Sequence, residues 1–190
     1  MKKLKVLQLF IMGLLMFMSF SLTSCESDYE EIPVKLEDVQ GNYKGKLITT
    51  QGINKAERIV DFTAKKDTLK FTDFPINEIV KTVITNNAKA EAALLAMGKI
   101  KYNLDYTSQI NTGINVVELT FAPKTLELQI PVDGTTKNTI VTLAAKQKGF
   151  YVGQDGSLRF GLVVEKITVD GLTLDPFETI KYDFPYCIKN

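Results

Sequence analysis

The sequence predicts an all-β antiparallel domain, a barrel or sandwich of about ten strands, interrupted by one short two-helix excursion. Three observations predict it. Apolar and polar residues alternate with a period of two along several segments. The pairs Asp133-Gly134, Asp155-Gly156 and Asp170-Gly171 fall between alternating runs, where they suit hairpin turns because Gly takes positive φ freely and Asp tolerates it. A single segment, residues 75–98, carries the helical period instead.

The first element is not part of the fold. Lys2, Lys3 and Lys5 form a basic start, Leu9 to Phe20 is apolar and uncharged, and Leu22-Thr23-Ser24 places small residues ahead of Cys25. This three-part order is that of a secretory signal peptide, which enters the membrane with its positive end held inside. The competing reading is a retained membrane anchor, but the stretch from Val6 to Leu22 contains Gln8 and sits at the short limit for crossing hydrocarbon. The ending Leu22-Thr23-Ser24-Cys25 resembles the lipobox of bacterial lipoproteins. That resemblance implies cleavage after residue 24, lipidation of Cys25, and attachment to a membrane, each buried methylene contributing about 0.8 kcal/mol.

Residues 25–38 read as an acidic tether. Glu26, Asp28, Glu30 and Glu31 crowd behind Cys25, and charges so dense cannot pack. An acidic cluster in that place also resembles the surface-export signal of Bacteroidetes lipoproteins, which implies a protein facing the medium. Loss of residues 1–24 removes three lysines and no acid, so the mature chain turns mildly acidic.

Residues 39–190 read as one β-rich domain. Val39 to Thr50, Arg58 to Ala64 and Thr68 to Thr72 supply the first strands. Ile100, Tyr102, Leu104, Tyr106 and Ile110 then share a face opposite Lys101, Asn103, Asp105, Thr107 and Gln109. Leu126, Leu128 and Ile130 alternate with Thr125, Glu127 and Gln129; Leu158, Phe160, Leu162 and Val164 oppose Arg159, Gly161 and Glu165; Ile180, Tyr182, Phe184 and Tyr186 oppose Lys181 and Asp183. One dry and one wet face per strand marks an antiparallel sheet. Between these runs, Phe74-Pro75 leads into Ile76, Ile79, Val80 and Val83 at helical spacing. After Asn86-Asn87, Ala88 to Met97 continues as an Ala-rich helix that Gly98 ends. These helices are expected to cap an open end of the sheet.

Composition excludes much chemistry. The chain has no His and no Trp and only two Cys, so Ser-His-Asp and Cys-His catalysis, His-containing metal sites, Cys₄ zinc sites and iron–sulfur clusters are all excluded. The net charge of +1 gives nucleic acid no footprint. Gly41 to Lys46 is too short for a phosphate loop, lacks the hydroxyl residue after Lys46 and lies in a strand pattern. Gly153-Gln154-Asp155-Gly156-Ser157 lacks the alternating acids of a calcium loop and reads as a hairpin turn. Glu165 or Asp170 with Glu178 are the candidate carboxylate pairs for a hydrolase, although exposed acids are by default solvated. Tyr102, Tyr106, Tyr182 and Tyr186 are expected inside, Tyr151 outside as the aromatic open to a sugar. Cys187 is expected on the face opposite Tyr182, as a partly buried structural thiol.

Val39-Gln40-Gly41-Asn42-Tyr43-Lys44-Gly45-Lys46-Leu47 resembles the Gly-x-Tyr-x-Gly opening strand of calycin-like β-barrel lipoproteins of the Bacteroidetes. Leu69-Lys70-Phe71-Thr72-Asp73-Phe74-Pro75 and the Ile79-Val80 helix resemble the uncharacterised DUF4840 group of that phylum. The resemblance favours a calycin-like barrel over a sandwich and transfers no functional residue. The expectation for function is therefore coarse: an outer-membrane or cell-surface lipoprotein, held in the membrane through lipid on Cys25, without cofactor or metal. It is read as a non-catalytic binding or accessory module for a glycan, an apolar ligand or an outer-membrane protein. A docking subunit and, last, a carboxylate-based hydrolase are the alternatives.

Overall fold

Among the described residues, the alternating segments fold into eleven antiparallel strands, and the last of them pairs with the first. The computed structural model describes residues 32–190; the leader expected over 1–24, the lipidation site expected at Cys25 and the acids of residues 26–31 lie outside the described residues. The strands are β1 (Gly41–Gln51), β2 (Asn54–Lys65), β3 (Thr68–Phe71), β4 (Tyr102–Asn111), β5 (Val116–Pro123), β6 (Leu126–Val132), β7 (Thr135–Ala144), β8 (Gly149–Val152), β9 (Ser157–Val169), β10 (Leu172–Thr173) and β11 (Ile180–Lys189).

Eight of them close a ring in the order β1-β2-β3-β4-β5-β8-β9-β11 and back to β1. Closure decides for a barrel over a sandwich, and it leaves the ring without the unpaired edge that an open sheet must protect. The β6–β7 hairpin pairs with the second half of β9, from Ala144↔Val163 to Thr139↔Val169, and carries the wall beyond the ring. Its turn is Asp133-Gly134, with φ of 50° and 75°. Two positive values in a two-residue turn match the right-handed twist of the strands they join.

The inward faces fill the ring with rings. Phe62 lies at the centre, stacked on Tyr43 at 5.3 Å and meeting Phe71, Phe160 and Phe184. Phe160 and Phe184 stack at 4.2 Å with planes 10° apart. Each buried Phe contributes about 1.5–3 kcal/mol by leaving water, and such pairs add about 0.5–1.5 kcal/mol. The faces read for Leu126 to Ile130 and for Leu158 to Val164 both point inward as expected.

Both ends are shut. At the end where the chain enters, Val34 and a 3-10 turn over Leu36–Val39 pack on the barrel. The Tyr43 hydroxyl donates to the Val39 carbonyl at 2.6 Å, and the Asn115 side chain accepts from the Val34 amide at 2.9 Å. Val34 to Asp38, read in sequence as the end of the tether, thus lie against the body. At the other end sit α1 (Asn77–Val83) and α2 (Asn87–Met97). Asn86 caps α2 by accepting from the Lys89 amide at 3.1 Å, and Gly98 ends it at φ 62°. Ile79, Val80, Ala90 and Ala93 are buried, and Phe74 packs against Phe71, Tyr102 and Tyr182. The helices cap the sheet, as their apolar stripe requires.

One strand departs from simple alternation. Ile180, Tyr182 and Phe184 face inward, but Tyr186 is exposed and Cys187 is fully buried. Phe184 pairs with Phe160 and Cys187 with Leu158, so Pro185 and Tyr186 together oppose Arg159 alone. This is a β-bulge, and it shifts the phase of everything after it by one residue. That one extra residue overturns the expectations that Tyr186 faces in and that Cys187 lies on the face opposite Tyr182, while Cys187 is the buried thiol that was expected. Pro185 sits where the ladder is already broken and its missing N–H is tolerated.

Candidate functional site

Because aromatic rings fill the interior, the distinctive surface lies on the barrel's outer wall. The bulge turns Tyr186 outward beside β9. Arg159 of β9 pairs with Phe150 of β8, and its guanidinium carbon lies 5.3 Å from the Tyr186 ring centre. Tyr186, Arg159 and Phe150 therefore form a row across three adjacent strands, aromatic on each side of a cation.

Phe150 and Arg159 of the row line a groove of about 600 Å³ that runs over β1, β11, β9 and β8, and Tyr186 follows its lining residue Pro185, a volume within the range of small-molecule sites. Ile48, Val163, Phe150 and Pro185 give it apolar walls, Lys146, Lys148, Arg159 and Lys181 line it with cations, and Asp183 adds a carboxylate. Gly161 is part of its lining, where the wall carries no side chain.

Acids just outside the groove hold three of its cations. Lys148 donates to Glu118 at 2.6 Å, Arg159 to Asp155 at 2.6 Å, and Lys146 pairs with Glu165. Glu118 stays below the usual carboxylate range because Lys148 and then the Asn111 amide donate to it. Burial acts to raise Asp155, but donors from Ser157 and Arg159 outweigh it and hold the carboxyl low. Exposed pairs contribute little to stability; their effect here is to fix where the cationic ends sit. Lys181 makes no ion pair among the described residues.

The residues singled out in sequence fall differently. Tyr151 is buried and Phe150 takes its expected outward place, because Gly149 faces in against the Phe121 ring, where an added Cβ would lie 2.6 Å from that ring. A four-residue strand carries too little alternation to fix its own phase. The carboxylate candidates occupy three separate engagements: Glu165 with Lys146, Asp170 accepting from the Asn138 amide at 2.9 Å, and Glu178 beside the Gly52 turn. Asp155 spends both oxygens on Ser157 and Arg159, as a hairpin turn requires. Among the described residues no group of three or more acids and Cys is arranged to hold a metal ion. The row Phe150, Arg159 and Tyr186 was missed, although Pro185 inside a strand pattern was a readable sign of a bulge.

The sequence matches the family described as "Domain of unknown function (DUF4840)" over residues 38–169. The matched span ends with the last residue of β9, so β11, which closes the ring and supplies Lys181, Asp183 and Tyr186, lies beyond it. No curated protein and no solved structure matches the chain.

Proposed function

This chain belongs to the DUF4840 family, and from that premise we propose that it is a non-catalytic binding module whose outer wall engages a glycan. The observation that carries the reading is the exposed row Tyr186, Arg159 and Phe150 at the rim of the 600 Å³ groove, on a barrel whose interior is already packed. Aromatic rings offer apolar surface to the C–H faces of sugars, and Arg159, Lys181 and Asp183 offer donors and acceptors to hydroxyls. Side chains already fixed by ion pairs lose little freedom when a ligand arrives. In the cell the module is a lipoprotein of the Bacteroidetes type, anchored in the outer membrane through Cys25 and facing the medium; the leader, the Leu22-Thr23-Ser24-Cys25 ending and the acids behind it support this.

The test is affinity electrophoresis and calorimetry against a panel of neutral and acidic polysaccharides. At least one should retard the protein, and Phe150→Ala and Tyr186→Ala should each weaken that binding at least tenfold with an unchanged circular dichroism spectrum. A silent panel, with one outer-membrane protein co-purifying through the same face, would replace this reading with a docking subunit.

A further inference from the structure

A second concavity lies at the capped end of the barrel. β2 pairs with β1 from Asn54 to Ala64 but with β3 only from Phe62 to Lys65. The earlier half of β2 therefore leaves its neighbour, and the helical excursion bridges the gap. Between them is a pocket of about 200 Å³ lined by Thr49, Ala56, Glu57, Arg58, Pro75, Asn77 and Glu78. It is smaller than sites for drug-sized ligands, yet has room for several times the volume of one water.

Glu57 is held outside the pocket by Lys46 and Lys55, but other polar groups of the lining are poorly paired. Arg58 faces the barrel side of β2, in phase with buried Val60 and Phe62, and its Nη2 donates to the Asp73 carbonyl at 3.2 Å. Its Nε is shut away from solvent with no partner in the protein. Glu78 lines the pocket from the helix side and forms no ion pair among the described residues. Beside them Thr49 is buried, and its cross-strand neighbour Tyr182 has a buried hydroxyl that also lacks a partner. Burial above all, and then Glu78, push the ionisation of Tyr182 up while Arg58 pulls it down, so both charges lie near this phenol. A buried donor left unmatched costs about 1–3 kcal/mol, and more when charged. A cation and an anion on facing walls, not touching, are matched by a molecule that carries both signs.

We infer that this pocket binds a small zwitterion of amino-acid size, its carboxylate held by Arg58 and Thr49 and its ammonium group by Glu78. A lone anion would meet Glu78, and a lone cation would meet Arg58, so neither gains from both walls. The site is separate from the outer groove and stands independently of the glycan reading. Its occupant would tie α1 to the barrel wall where strand pairing fails.

The experiment uses the full chain purified in detergent, with glycine, L-alanine and L-serine at about 10 mM, which registers millimolar affinity. Propionate and ethylamine, each carrying one of the two charges, serve as comparisons. The expected result is a raised melting temperature with at least one of the amino acids and none with propionate or ethylamine. Calorimetry should show binding weakened at least tenfold by Arg58→Lys, which keeps the charge but loses the fork, and by Glu78→Gln. Circular dichroism of both variants verifies that they fold. No shift with any of the three amino acids overturns the inference, as does an equal shift with propionate or affinity unchanged in both folded variants.

Discussion

Gly45 and Cys187 face each other across the β1–β11 pair so closely that a Cβ on Gly45 would lie 2.5 Å from both the Cα and the Sγ of Cys187. The bulge at Pro185-Tyr186 drives the Cys187 side chain inward, and only a residue without a side chain leaves room for it. Gly45→Ala is therefore expected to destabilise the barrel by about 1–3 kcal/mol, since the clash involves backbone that cannot rotate away. Urea denaturation of residues 26–190, expressed without the expected leader and Cys25, checks this; an unchanged midpoint would sink the explanation.

The same burial protects the thiol. Desolvation above all, with the Asp183 charge behind it, pushes Cys187 up to about 12, so almost no thiolate exists at neutral pH. A thiol reagent is expected to label the native protein at the rate of unfolding and the denatured protein at once. Native labelling complete within seconds would show that Cys187 is not where the bulge puts it.

Alkali should unfold the protein. Tyr102 and Tyr106 are raised by burial to about 12, and Cys187 likewise to about 12. In the folded state these groups keep protons that the unfolded chain releases near its ordinary values. The stability they contribute is complete below about pH 9 and is lost as pH rises toward about 12. Tyrosinate absorbance and circular dichroism, followed together, should change in one cooperative step. Smooth, independent ionisation of the tyrosines with the fold intact contradicts the burial.

Phe62→Ala removes the ring that touches four others and is expected to cost about 3–5 kcal/mol. Thermal unfolding measures it. A loss below 1 kcal/mol, the range of a surface change, would mean the aromatic cluster does not carry the core.

On the proposed lipidation, Cys25→Ala is expected to abolish incorporation of radiolabelled fatty acid and release the protein from the membrane fraction, because acyl chains on Cys25 would be what holds it there. Label retained in that variant, or a mature N-terminus elsewhere by mass spectrometry, contradicts lipidation at Cys25.

Much of the barrel was legible because alternation and turn chemistry are local. Leu158, Phe160, Leu162 and Val164 declare their face within one strand, and Asp133-Gly134 declares its turn in two residues. Asn86 and Gly98 likewise mark both ends of α2. What escaped depends on pairing. The phase of β8 is set by Gly149 against Phe121, and that of β11 by a bulge defined only opposite β1 and β9. The candidate site escaped for the same reason. Phe150, Arg159 and Tyr186 meet only after the ring closes, and the first sign of their meeting, Pro185, is a single residue. The pocket at Arg58 was hidden more deeply, since it exists where β2 fails to pair.

Ring closure by β11 also sets a schedule. Until this strand arrives, β1 and β9 each present an open edge, and Phe62 and Phe160 lack their partner Phe184. Synthesis runs from the amino end, so the first strand must wait for nearly the whole chain before its second neighbour exists. The last residues then lock onto the first: the Asn190 amide donates to the Asn42 carbonyl at 2.8 Å, and Lys189 Nζ to that of Asp38 at 2.8 Å. Long-range pairing of this kind is slow to form. A chain that stops before residue 180 is left with two exposed edges ready to pair with another copy of itself, which makes residues 180–190 the difference between a closed barrel and an aggregating one.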